Sequence, residues 1–194
     1  EIRGAGELLG EEQSGQMQEI GFALYMEMLE RAVKAIKEGK IPNLDAPMHQ
    51  GPEVNLHVPA LLPDDYLPDV HLRLTLYKRI SAAPTVEELR ELQVEMIDRF
   101  GLLPDFAKNL FRIAELKLQA KALGLQKLDV APGGGSVVFA KETRVDPGTL
   151  IKLVQANSKT HRFDGAQKIR FVMKLERDEQ RFVAAEKLLT ALAR

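Results

Sequence analysis

The sequence predicts an α+β fold, in which a helical first half precedes a small antiparallel sheet that is packed with helices on one face. Between residues 70 and 124, three segments with helical periodicity follow one another across short joints. From residue 125 onward, segments that alternate apolar and polar side chains take over, interleaved with two further helical segments. Apolar residues make up 45% of the chain and charged residues 28%, which is ordinary for a domain with its own core.

The chain opens on a glycine-rich loop that resembles the interior of a longer protein. It has no initiator Met, and it carries one cation, Arg3, and one amide, Gln13. Four glycines around them allow positive φ and a close approach of the backbone to another surface: Gly4, Gly6, Gly10 and Gly15. Such a loop is suited to pressing a cation and an amide against a partner. We therefore expect the chain to be a fragment whose function belongs to its parent.

A long helix and a linker follow this loop. Residues 16–40 carry a broad apolar face with Glu and Lys opposite, and Gly39 and Pro42 end the helix. Residues 41–52 contain three prolines and no periodicity, which is typical of a linker. We therefore predict two domains, residues 1–50 and residues 51–194.

Capping residues locate the helical half of the second domain. Asp69 is a good N-cap, Thr85 with Glu88 makes a capping box, and Gly101 is a helix stop. The three predicted helices span residues 70–82, 85–100 and 104–124.

The rest of the domain alternates between strands and helices. Residues 131–135, Ala-Pro-Gly-Gly-Gly, predict a hairpin turn between two strands. The predicted strands are residues 54–58, 125–130, 136–140 and 168–175. Helices are expected over 146–157 and from a cap at Asp178 to 192.

Charge is distributed unevenly along the chain. Residues 1–100 carry 10 Lys and Arg against 18 Asp and Glu, a net charge of −8, whereas residues 101–194 carry 17 against 10, a net of +7. A basic half can be a nucleic-acid surface. Because these cations are spread over several elements with few aromatic residues, attraction to the acidic half or to a partner domain is the favoured interpretation.

No pattern predicts catalysis or metal binding. The only glycine cluster lies between two strands, with no Lys-Ser/Thr and no helix after it, so it is not a phosphate loop. The four histidines show no metal spacing, there is no Cys, and adjacent carboxylates fall in polar turns. No stretch is long and apolar enough to span a membrane.

One helix face carries an unusual charge pattern. On the helix from Thr85 to Phe100, Glu91, Glu95 and Asp98 fall at i, i+4 and i+7 and share a face. Arg99 stands four residues after Glu95 and can pair with it. A solvated helix face is the ordinary interpretation of such a pattern, and an electrostatic docking strip for a basic partner is the more specific alternative.

The opening loop is similar to the one that closes the translocation motif of the bacterial transcription-repair coupling factors (the Mfd family) and of the related RecG helicases. Its ending at residues 11–15, Glu-Glu-Gln-Ser-Gly, is closer to the former. Leu61–Tyr66, Tyr77–Ile80 and Ile97–Gly101 also resemble that family, and the resemblance covers essentially all 194 residues.

The resemblance implies a parent that couples ATP hydrolysis to movement along double-stranded DNA, displaces stalled RNA polymerase and recruits nucleotide-excision repair through UvrA in the bacterial cytoplasm. Arg3 and Gln13 match the functional arginine and amide of the translocation motif. The second domain matches the C-terminal domain, which covers the UvrA-binding N-terminal domain of the same protein at rest. Glu95, Asp98 and Arg99 match its contact strip, which Glu91 extends. The family binds ATP and Mg²⁺ before Glu1, so we expect neither cofactor nor enzyme activity here.

Three hypotheses follow for the isolated chain. The first is a regulatory, autoinhibitory module that acts as an intramolecular lid. The second is an accessory DNA-binding domain that uses the basic half. The third, a small enzyme in its own right, is the weakest because no catalytic constellation is present.

Overall fold

The structure, a computed structural model, describes residues 51–193. The glycine loop, the predicted helix over 16–40 and most of the predicted linker lie outside these residues. The predicted division into residues 1–50 and 51–194 likewise stays a prediction.

Five helices and five strands make up the described part, which confirms the predicted α+β class. The helices are α1 (Val70–Ala82), α2 (Val86–Phe100), α3 (Asp105–Ala122), α4 (Pro147–Ala156) and α5 (Asp178–Leu192). The strands are β1 (Glu53–Asn55), β2 (Leu125–Ala131), β3 (Gly134–Phe139), β4 (His161–Phe163) and β5 (Lys168–Val172).

The predicted capping residues Asp69, Thr85 and Gly101 lie at the ends of α1 and α2. The Asp69 carboxylate accepts a hydrogen bond from the Leu72 amide at 3.0 Å, and the Thr85 hydroxyl accepts one from the Glu88 amide at 3.2 Å. Gly101 follows α2 with φ of 87°, a conformation that favours glycine. These contacts satisfy backbone groups that a helix end leaves free.

The cap predicted for the last helix is wrong by one residue. Arg177 occupies the N-cap position of α5, and its amide donates to the Gln180 side chain at 3.0 Å. Asp178 lies inside the first turn, where its carboxylate contacts the Arg181 guanidinium instead.

The sheet has the order β1-β2-β3-β5-β4, and it is mixed rather than wholly antiparallel as predicted. The pairs β2–β3, β3–β5 and β4–β5 are antiparallel, while β1 pairs with β2 in parallel. The chain between β1 and β2 contains α1, α2 and α3. It is therefore a crossover connection, which brings β2 back beside β1 in the same direction.

Two strands end earlier than their alternation predicts. After β1, the His57 amide donates to the Asn55 side chain at 3.0 Å, and His57 adopts φ of 53°. This Asx-type turn ends the strand before Val58. After β5, the Met173 and Leu175 amides donate to the carbonyls of Gly133 and Pro132, so the chain follows the β2–β3 turn instead of the sheet.

The predicted hairpin turn is confirmed and is two residues long, Pro132 and Gly133. Gly134 begins β3 with φ of 135°, and a Cβ there would overlap the Phe171 carbonyl oxygen. Glycine is therefore required by both backbone conformation and close approach.

Two hydrophobic clusters form the core, and α3 contributes to both. Ala107 and Phe111 of its first half pack with α1 and α2, whereas Leu116 and Ala120 of its second half pack against the sheet. With 18 residues, α3 is about 27 Å long, which lets one helix connect the helical layer to the sheet layer. On the sheet side, α5 supplies Phe182 and further apolar residues.

Candidate interdomain contact surface

The helix α2 buries one face and exposes the other. Leu89, Leu92 and Met96 are buried against α1 and α3, at the spacing that the sequence predicts. On the outer face the exposed residues fall at i, i+4, i+7 and i+11: Glu87, Glu91, Val94 and Asp98. We call these four residues the α2 outer stripe.

Glu95, predicted as part of the docking strip, is turned toward α1. Its carboxylate accepts from both Nη atoms of Arg79, at 2.8 and 2.5 Å, and from Nη1 of Arg99 at 3.0 Å. These hydrogen bonds, led by those from Arg79, lower the pKa of Glu95 to about 2. The predicted Glu95–Arg99 pair is therefore present, but Arg79, which the sequence reasoning did not include, is the principal partner.

Arg99 has a second contact beside this ion pair. Its guanidinium carbon lies 4.9 Å from the centroid of the Phe100 ring, a cation–π distance. Arg99 is thus held at the junction between α1 and α2, with half of its side chain still exposed.

Glu91 and Asp98 differ from Glu95 in that both are exposed and form no ion pair within residues 51–193. They flank Val94, which is 58% exposed, and the neighbouring Ile97 is 38% exposed. Sequence reasoning missed both apolar residues. The helical spacing predicts the exposure of Val94, because Val94 lies three residues after Glu91 and four before Asp98 and so shares their face. The outer stripe thus combines carboxylates free to pair with an apolar centre.

The remaining predicted site residues lie outside the described part of the chain. They are the residues of the translocation motif: Arg3, Gly4, Gly6, Gly10, Gln13 and Gly15. Their role stays a prediction, as does that of the contact strip.

The described residues hold no cluster of three or more His, Asp or Glu side chains that could bind a metal ion. Within the same residues, no helix is long and apolar enough to cross a membrane. The buried charge of the domain is Arg181, whose guanidinium donates to the backbone carbonyls of Leu175 and Glu176 at 3.0 and 3.1 Å and contacts Asp178. That arrangement fixes the chain between β5 and α5.

Comparison with known proteins shows the family of the chain. The TRCF domain family matches residues 56–150. The transcription-repair-coupling factor of Haemophilus influenzae is 50% identical over 193 residues, and that of Escherichia coli is 52% identical over 181 residues. These alignments cover 100% and 93% of this chain but 17% and 16% of the two relatives, so the chain spans about a sixth of their length.

A solved structure has the same fold as the described part. The crystal structure of the C-terminal domain of a transcription-repair coupling factor superimposes with a TM-score of 0.59 at 25% sequence identity. The match covers 74% of this chain and 94% of that chain. The chain therefore belongs to the transcription-repair-coupling factor family, and residues 51–193 have the fold of its C-terminal domain.

Proposed function

We propose that residues 51–193 are a regulatory lid: a C-terminal module that covers the UvrA-binding surface of the N-terminal domain in the same protein. The observation that carries the proposal is the α2 outer stripe, in which Glu91 and Asp98 are exposed and unpaired among the described residues. Val94 lies between them with more than half of its surface exposed. Carboxylates around an apolar centre suit a basic partner surface that has an apolar residue of its own.

The wider activity is proposed from the family. We infer that the parent is an ATP-dependent translocase on double-stranded DNA that displaces stalled RNA polymerase and recruits nucleotide-excision repair, in the bacterial cytoplasm. ATP and Mg²⁺ would be bound by the motor part of that protein. Within the present chain, Arg3 and Gln13 would act in the translocation motif, with the glycines of the loop allowing close contact.

Weak contacts are enough for a lid. Allosteric coupling energies are typically about 1–3 kcal/mol, which a few partly desolvated ion pairs and one apolar contact can supply. Because lid and covered surface belong to one chain, the effective concentration is high, and each contact need not be strong. The lid then opens when a competing contact elsewhere in the protein outweighs these weak contacts with the N-terminal domain.

The test is UvrA binding by the intact parent that carries Glu91→Lys and Asp98→Lys together. Reversing both charges should release the lid and strengthen UvrA binding by about 5- to 150-fold, the range that corresponds to such coupling. Glu142→Lys, which reverses one exposed acid in the β3–α4 connection, is the control for charge reversal away from α2 and should leave binding unchanged. Unchanged UvrA binding in the double variant, with the control equal to it, would refute the lid.

Salt and deletion give two further readouts. If charged contacts hold the lid closed, raising ionic strength should strengthen UvrA binding by the wild-type parent and have little effect on the double variant. Removal of residues from Gly51 onward should also raise the ATPase rate without DNA if the module restrains the motor. An unchanged rate would confine the lid to the UvrA-binding surface.

A further inference from the structure

The sheet has one face without a described helix, and its side chains are polar. The register places Lys127, Val138 and Lys168 in one row across β2, β3 and β5. The next row holds Asp129, Ser136, Arg170 and, on β4, Arg162. The opposite face carries the buried row of Leu128, Val137 and Ile169, against which the helices pack. We call the polar side the open face.

Charge is compensated at one end of the open face and not at the other. On β1 and β2, Glu53 pairs with Lys127 at 2.8 Å, and His57 lies 3.2 Å from Asp129. On β4 and β5, three cations share a single carboxylate: Lys168 and Arg170 lie 3.1 and 3.7 Å from Asp164, near which Arg162 also lies. These neighbours, Lys168 foremost, lower the pKa of Asp164.

Arg162 and Arg170 bring two like charges together on the open face. The two residues lie directly opposite each other on neighbouring antiparallel strands. Like charges at such positions destabilise a sheet, and Arg162 forms no ion pair within residues 51–193. Exposed Lys159 and Lys174 extend the positive charge at the two ends of this region. Residues 159–177 therefore hold six Lys and Arg against two Asp and Glu.

The side chains of the open face indicate which kind of anionic partner it can bind. Protein interfaces are organised around apolar residues, but on the described strands this face offers only small ones, Ala131, Val138 and Val172. Single-stranded nucleic acids bind on aromatic platforms, and the aromatic residues of β4 and β5 point away: Phe163 and Phe171 share the face of Ile169 and the helices. His161 stacks on Phe171 on that same side, with 5.6 Å between ring centroids. A basic surface without aromatic side chains fits the phosphate backbone of a duplex.

We propose that the basic cluster formed by Arg162, Lys168 and Arg170 on the open face binds the phosphates of duplex DNA without reading its sequence. Lys159 and Lys174 add charge at its margins. This site lies on the sheet, away from α2, and its test does not involve UvrA, so the proposal and the lid can fail separately.

The test measures binding of the 194-residue chain to a fluorescent 20-base-pair duplex across a salt series. With three phosphate contacts, the plot of log affinity against log salt concentration should have a slope of about −2.7. Arg162→Gln with Arg170→Gln should make the slope shallower by about 1.8 and weaken binding several-fold at low salt. Arg90→Gln with Lys121→Gln removes the same charge from exposed helical positions and should change neither quantity.

Folding gives an independent check through the single variant Arg162→Gln, which should itself make the slope shallower by about 0.9. Removing one cation of an unfavourable pair should leave the melting temperature of Arg162→Gln unchanged or raise it, so lost binding cannot be blamed on unfolding. Failure of the wild-type chain to bind duplex at low salt would overturn the proposal, as expected if the face serves an acidic protein instead. Equal losses in the cluster and control pairs, or tighter salt-insensitive binding of single strands, would overturn it too.

Discussion

The Glu95 carboxylate of α2 accepts two parallel hydrogen bonds from the Arg79 guanidinium of α1, with Nη1–Oε1 and Nη2–Oε2 distances of 2.8 and 2.5 Å. This bidentate pair joins two helices within the domain. Glu95 is thus already engaged before any partner arrives, unlike Glu91 and Asp98 on the outer stripe. Substitutions that test a partner surface should therefore use the outer stripe, because changing Glu95 also disturbs the α1–α2 junction.

The Glu95–Arg79 pair predicts a specific loss of stability in acid. The pKa of Glu95 is about 2 in the folded domain against an ordinary value of 4.5, so the unfolded chain binds its proton first as pH falls. The contribution of the pair is complete above pH 4.5 and is lost as pH falls from there toward about 2. Glu95→Gln should remove this component from the pH dependence of the unfolding free energy, measured by urea denaturation.

Glu91→Gln is the matched control for that experiment. It removes the same charge one helical turn earlier, at a position with no ion pair among the described residues. Its acid profile should follow the wild type. If Glu91→Gln and Glu95→Gln gave the same profile, the pair with Arg79 would have no energetic role.

Arg181 predicts a large stability effect at a position that resembles a surface residue in the sequence. Its side chain is only 5% exposed, and it holds the backbone carbonyls of Leu175 and Glu176 beside the Asp178 carboxylate. Arg181→Met would leave the two backbone carbonyls without their donor, at a cost of roughly 1–3 kcal/mol. Lys187→Met, exposed on the same helix, should cost less than about 0.5 kcal/mol. Equal midpoints in guanidinium for the two variants would contradict this role.

The caps and the binary pattern of the domain could be predicted because they depend on residues close together in sequence. Asp69, Thr85 and Gly101 act within four residues of their partners, and the Pro132–Gly133 turn needs only its own residues. The alternation of β2, β3 and β5 likewise follows from burial of one face. Because these signals depend on neighbouring residues, they can be identified from the sequence alone.

What could not be predicted depends on contacts between distant segments. The parallel pairing of β1 with β2 joins residues more than seventy positions apart, and β4 is three residues long, too short to show alternation. The Arg79–Glu95 pair requires the packing of α1 on α2, and the burial of Arg181 requires a loop to close over it. The helix that carries the predicted strip was located from the sequence, whereas the tertiary structure was needed to show that Glu95 pairs within the domain and that Glu91 and Asp98 do not.

Gly134 predicts a strong dependence of the sheet on one missing side chain. At φ of 135°, an alanine would be strained, and its Cβ would overlap the Phe171 carbonyl oxygen of the paired strand. Gly134→Ala should therefore destabilise the domain by at least about 1–3 kcal/mol in thermal unfolding. Gly133→Ala is the adjacent control, since a Cβ there meets nothing within 4 Å. A melting temperature for Gly134→Ala equal to that of Gly133→Ala would show that β3 and β5 do not approach this closely.

His161 predicts a second, milder pH dependence in a different range. Its ring stacks on Phe171 and accepts or donates a 2.8 Å hydrogen bond with the Thr160 hydroxyl, and its partial burial lowers its pKa below 6.5. Because the folded domain binds this proton less readily than the unfolded chain, the contribution of His161 to stability is greatest above pH 6.5 and decreases as pH falls below it. His161→Phe keeps an aromatic ring for stacking but cannot titrate. The unfolding free energies of wild type and variant, compared at pH 8 and pH 5.5, should therefore diverge at the lower pH in favour of the variant. A constant difference between the two proteins across that range would mean that His161 is not protonated differently in the folded and unfolded states.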